Sequence, residues 1–187
     1  MTAFSYLIVL VSIILGLGIT RLLTGLGQQI EFRDQIESYW PATTWAVVLL
    51  LVHVQTWWTL FGLREQETWT FLMFLVVLLQ PVTLYLLAAL ILPTTRVGVP
   101  VDLRTHYFAQ TRWFFGLFAL LLVVSLARDL VLRSVLPDGP NVAFHGLFLA
   151  LAVTGALTRR EAFHRFGAAT TAVLLGAYIA TLFSQLQ

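Results

Sequence analysis

The 187 residues are 59% hydrophobic and only 11% charged, with a mean hydropathy of +0.87, whereas a soluble domain is roughly a quarter charged. All 11 basic residues are arginines, set against 9 acidic ones for a net charge of +2; no basic excess points to a nucleic-acid partner. Cysteine is absent, which excludes disulfides, thiolate metal sites and cysteine nucleophiles.

This is the composition of an integral membrane protein, with lipid as its first partner. A crossing takes about 20 mostly apolar residues. Six stretches approach or meet that length, at 4–26, 40–63, 69–92, 107–132, 142–158 and 162–186. They predict an all-α fold in which six transmembrane helices form one bundle and one domain over residues 1–187. The first stretch is apolar from Phe4 onward, without a basic n-region or a small-residue cleavage site, and reads as a retained helix and not a signal peptide. Residues 28–39 are too polar to be buried, and Phe32, Ile36 and Tyr39 recur there at helical spacing, which predicts a short helix lying in the interface.

The second span holds His53 and Gln55 inside the apolar run 45–58, where a polar side chain needs a partner or a reason. Two residues apart on a helix, they point about 200° from each other, so they cannot face the same seam. In the third span Gln80 and Pro81 fall near the midplane, with Thr83 one turn from Gln80. The Pro81 ring removes a ladder hydrogen bond to Val77 and frees an acceptor at bilayer depth, an arrangement from which transporters build sites. His53, Gln55, Gln80, Pro81 and Thr83 are therefore the candidate lining of a substrate or ion path.

Arg128, Asp129 and Arg133 close the fourth span, and Asp129 with Arg133 reads as a local i, i+4 ion pair. Arg21 and Arg112 lie about 7–9 Å inside their boundary, from which an arginine reaches the headgroups. Pro137, Gly139 and Pro140 separate the fourth span from the fifth. In the sixth, Ala168, Ala172, Gly176, Ala180 and Ser184 follow strict four-residue spacing, as do Gly146, Ala150, Thr154 and Thr158 in the fifth and Ser12, Gly16, Thr20 and Thr24 in the first. Such rows let helices approach closely in lipid; the row on the sixth, Ala168 to Ala180, is the candidate for helix packing or for a subunit interface with a second copy or another membrane subunit.

Orientation follows from the arginines. The 1–2, 3–4 and 5–6 connections and adjacent helix ends carry Arg21, Arg33, Arg96, Arg104, Arg112, Arg159, Arg160 and Arg165, against Arg64, Arg128 and Arg133 on the opposite side. The positive-inside rule then puts both termini outside the cytoplasm, in the periplasm if the membrane is a bacterial inner membrane.

The sequence carries no HExxH, GxSxG or phosphate-binding glycine loop, so it offers no catalytic residue, and it implies neither a metal nor another cofactor. A haem would need His53 and His145 at one depth, but they lie about 15 Å and about 8 Å from the same face. Residues 62–65 before the third span resemble 158–161 before the sixth, Pro41 and Pro140 open the preceding spans, and Arg21 parallels Arg128; this is a weak echo of a 3+3 inverted repeat. The functional expectation is a small oligomeric channel or transporter for an ion or small solute, the alternative a non-catalytic scaffold or accessory subunit of a larger membrane complex.

Overall fold

The structure is a computed structural model that describes residues 3–64, 66, 68–94, 99–133 and 139–182. Its helices are α1 (Ala3–Glu31), α2 (Trp40–Thr59, continued by a 3₁₀ turn at Leu60–Leu63), α3 (Phe71–Ile91), α4 (Leu103–Arg133), α5 (Gly139–Leu157) and α6 (Glu161–Leu182). Among the described residues, α1 to α5 are long and apolar enough to cross a membrane. The protein is thus an all-α integral membrane bundle. The four C-terminal residues of the predicted sixth span that follow α6, with Ser184 of its small-residue row, lie outside the described residues, as do Glu65, Arg96 and Pro137.

The helices start where their caps allow. Thr70 accepts the Met73 amide at 3.2 Å at the head of α3, and Pro41 occupies the first turn of α2, where its missing N–H costs nothing. Asp102 caps α4, its Oδ1 accepting the amides of Arg104 at 2.8 Å and Thr105 at 3.2 Å while Oδ2 accepts the Thr105 hydroxyl. Those hydrogen bonds, the Thr105 hydroxyl first, hold the Asp102 carboxyl below the usual carboxylate range.

Where the spacing of Phe32, Ile36 and Tyr39 predicts an interfacial helix, the chain does something else. α1 runs on to Glu31, the chain turns, and Ile36–Glu37 (β1) pairs in parallel with Val101–Asp102 (β2). Ile36 and Tyr39 are buried beneath the bundle and do not lie on lipid. A turn followed by a two-residue strand brings the same apolar positions inward, so a period of three to four over so few residues does not separate the two outcomes.

α1 packs on α2 and α3, α3 on α4, α4 on α5, α5 on α6, and α6 back on α2, which closes a ring; α2 also touches α3. The end bearing the α1–α2, α3–α4 and α5–α6 connections is called lower here, the opposite end upper. An inverted repeat would match α1–α3 with α4–α6. α1 lies along α3, whereas α4 and α6 stand farther apart and meet through Tyr107 and His164 near the lower end.

The close helix approaches differ from the four-spaced rows. A Cβ on Gly25 would stand 2.8 Å from Leu92, and one on Gly155 would stand 2.9 Å from the Phe115 ring, while one on Gly16, Gly146 or Gly176 meets nothing within 4 Å among the described residues. Of the candidate row on α6, Ala168 is buried, but Ala172, Gly176 and Ala180 face outward. A sequence row marks a face of a helix without marking which way it turns.

The lower end is tied by side chains. Arg21 of α1 donates to the Leu92 carbonyl at 2.8 Å, and His106 Nε2 of α4 donates to the Leu90 carbonyl at 3.0 Å; both satisfy acceptors left over where α3 ends. Arg21 is therefore held within the protein and does not simply reach for headgroups, as the exposed Arg112 is free to do. Arg104 donates to Glu161 Oε2 through Nε at 3.0 Å and Nη2 at 2.7 Å, and Arg165 pairs with Oε1 at 2.7 Å.

Candidate functional site: a polar cavity in the upper half of the bundle

Five helices enclose a cavity of about 80 Å³. A water needs about 10–15 Å³ of such space, so there is room for several waters or a small solute. α2 contributes Val48, Val52, Gln55, Thr56 and Thr59, and α3 contributes Gln80. Phe118, Leu121, Leu122, Ser125 and Arg128 come from α4, His145 and Phe148 from α5, and Thr171, Leu175 and Tyr178 from α6. α2 rises away from the lower end as α3 and α5 descend toward it, so Thr59, Arg128, Ser125, His145 and Tyr178 gather at the upper end. Val48, Phe118 and Thr171 lie deepest.

Arg128 dominates the upper wall. Its Nη1 donates to Gln80 Oε1 at 2.9 Å and reaches Thr59 Oγ1 at 3.5 Å, and its Nη2 meets Asp129 Oδ1 at 3.3 Å. Asp129 pairs with its neighbour Arg128, which is turned inward, while the Arg133 side chain that the helical spacing offers as a partner lies outside the described residues. The reason is depth. Arg128 is one turn farther into the bundle, where a guanidinium facing lipid would be costly, so it turns to the amide of Gln80 on the facing helix. His145 Nδ1 donates to the Asn141 carbonyl at 2.9 Å, leaving Nε2 to accept from the Ser125 hydroxyl at 3.2 Å. The Tyr178 hydroxyl is 3.5 Å from Asn141 Oδ1.

The floor is aromatic. One turn below Val48 and Phe118, Trp45 meets Phe114, Phe115 and Phe118 with ring centroids 5.2, 5.4 and 5.2 Å away, all near edge-on. Trp45 is 1% exposed, and Phe114 and Phe115 are 2% exposed. Below them Tyr107, Phe108 and His164 form a second layer. His164 is oriented by donating Nε2–H to the Thr158 carbonyl at 2.9 Å and accepting the Tyr107 hydroxyl at Nδ1, 3.1 Å away. A separate groove of about 230 Å³ runs on the flank between α2 and α6 beside Thr43, Val47, Leu51 and Ala172, and Val48 and Leu175 line it as well as the cavity.

Of the five path residues expected from the sequence, Gln55 and Gln80 line this cavity. Pro81 and Thr83 are buried beside Gln80, the Thr83 hydroxyl donating back to the Leu79 carbonyl at 2.8 Å. His53 turns the other way, as its position opposite Gln55 requires. Its Nδ1 donates to the Leu49 carbonyl at 2.7 Å, and its Nε2, with no hydrogen-bond partner among the described residues, is pressed against Gly18 of α1. Sequence reading passed over Arg128, Thr59, Ser125 and Tyr178, and left His145 outside the path. The available signal was depth: counted along their helices, these residues fall, like Gln80, in the upper half of the bundle.

No group of three or more His, Asp or Glu side chains stands close enough to hold a metal ion among the described residues. The chain matches no known protein family, no curated protein and no solved structure.

Proposed function

We propose that the protein is a small membrane carrier that binds a small solute in the upper cavity and releases it across the membrane by alternating access. One observation supports this above others: the cavity is polar toward the upper end and has packed aromatic rings beneath it. A binding site in the bundle core, with access from one side, is what alternating access requires; an open pore would need a continuous polar lining. The test is flux into proteoliposomes across a panel of ions and small organic solutes. Gln55 makes no hydrogen bond among the described residues, so Gln55→Leu should cut uptake at least several-fold while leaving the melting temperature nearly unchanged. Absence of uptake for every solute by the wild-type protein would overturn the reading.

The scaffold reading draws on a different observation, the outward face of Ala172, Gly176 and Ala180 on α6. In lipid, small residues favour a close helix partner. Because a Cβ added at Gly176 meets nothing within 4 Å among the described residues, Gly176→Leu should shift a homo-oligomer to monomer at unchanged melting temperature. A wild type that is monomeric in lipid nanodiscs would end that idea. Our reading also places both termini in the periplasm of a bacterial inner membrane. Reporter fusions at Gln187 and Gly98 should then report opposite compartments, and a cytoplasmic signal at Gln187 would reverse the orientation.

A further inference from the structure

We propose that the cavity takes a small amphipathic anion, its carboxylate or phosphate head on Arg128 and its apolar tail against Phe118, Phe148 and Leu175. This rests on the cavity being a solute site and names the chemistry of the solute.

Two observations converge on an anionic head, and a third shows that the space is more than a packing void. A guanidinium carries five N–H donors in a planar fork suited to carboxylate and phosphate. Here one donor is taken by Gln80, one faces Thr59 at the limit of hydrogen bonding and one meets Asp129. Two, including Nε–H, have no protein acceptor among the described residues. The lining, second, contains no carboxylate. Asp129 balances the charge from outside the cavity, so a ligand within it meets a donor fork and neutral amides and hydroxyls. Third, Thr171, at the deep end away from Arg128, is 1% exposed and lines the cavity, yet its Oγ1 has no partner among the described residues. Thr83, Thr111 and Thr154 all return their hydroxyls to the carbonyl one turn back; Thr171 does not. A packing void is apolar and stays dry, whereas an unsatisfied hydroxyl in the wall marks space that water shares with a solute.

The tail follows from the shape. From Val48 to Thr59 the α2 wall rises about 16 Å at 1.5 Å per residue, so the space is long and narrow. Its polar groups concentrate at the Arg128 end, and Val48, Val52, Phe118, Leu121, Phe148 and Leu175 make up most of the rest. An inorganic anion would leave that apolar length unfilled.

The experiment measures binding of octanoate, octanol and octylamine to the purified protein in phosphatidylcholine nanodiscs, by calorimetry and by melting-temperature shift. Octanoate should bind about tenfold or more tightly than either of the others, the effect of one charge-assisted pair. Arg128→Gln should abolish that preference and Arg128→Lys should keep part of it. Should Arg128→Gln fail to fold, the wild-type preference and the Lys variant still decide. Octanol binding as well as octanoate, or octanoate binding unchanged in a folded Arg128→Gln protein, overturns the proposal. Nanodiscs containing phosphatidic acid separate two sources of the head. If that lipid raises the melting temperature through Arg128 and blocks octanoate, the anion is a lipid headgroup; if octanoate binds equally in both discs, it is a soluble acid. Octanoate binding without any flux leaves this inference standing and ends the transport reading, while flux of a neutral solute without octanoate binding does the reverse.

Discussion

Trp45→Ala is expected to lower the unfolding free energy by about 3–5 kcal/mol, the range for truncating a large buried aromatic residue. Trp45 is 1% exposed and edge-packed on three phenylalanine rings. In a bilayer the loss is one of dispersion contacts more than of exclusion from water, since lipid tails are as apolar as the ring they would replace. The void would open directly beneath Val48 and merge with the cavity above. The variant should therefore melt well below wild type and leak small solutes from vesicles. Trp45→Phe keeps a ring in place and should recover most of the stability and the seal. A Trp45→Ala protein that melts with the wild type and stays tight would show that the aromatic layer is not a packed floor.

Gly18→Ala should cost about 1–3 kcal/mol or more as an overpacking change. A Cβ there would stand 2.2 Å from His53 Nε2 and 2.8 Å from Cδ2, and the ring cannot move without breaking its 2.7 Å bond to the Leu49 carbonyl. The remedy is equally specific. In a His53→Ala background the clash has no second party, so the Gly18→Ala loss should nearly vanish, and a double-mutant cycle on melting temperatures should show strong coupling. Because His53 faces α1 and not the cavity, His53→Ala alone should reduce stability and leave solute uptake as in wild type. Additive losses, or altered uptake in His53→Ala, would mean that α1 and α2 do not meet as described.

The helices themselves were legible because backbone polar groups in lipid must be satisfied internally, so length and hydropathy suffice to find a span. Their rotation was not. α2 and α3 are apolar on every side and show little periodicity, so nothing in a stretch such as residues 71–79 says which side faces the bundle. Polar residues in the spans gave partial bearings. Gln55 and Gln80 point to the cavity, while His53, equally polar, is absorbed by a backbone carbonyl on its own helix. Arg128 was hidden by the plausibility of a local ion pair with Asp129 and Arg133; sequence spacing ranks neighbours on one helix and cannot see Gln80 on the next. Gly18, Gly25 and Gly155 were masked for the same reason. What makes a glycine obligatory is the side chain opposite, here His53, Leu92 and Phe115.

Val48 and Leu175 each face the cavity on one side and the flank groove on the other, so the wall between them is a single side chain thick. Moving it asks for rotamer changes of two buried side chains and not for the rearrangement of a helix. A solute using this side door would be drawn from what is dissolved in the membrane. Its occupancy would then track its water–lipid partition coefficient, and two acids at equal aqueous concentration would fill the cavity unequally according to how oily their tails are.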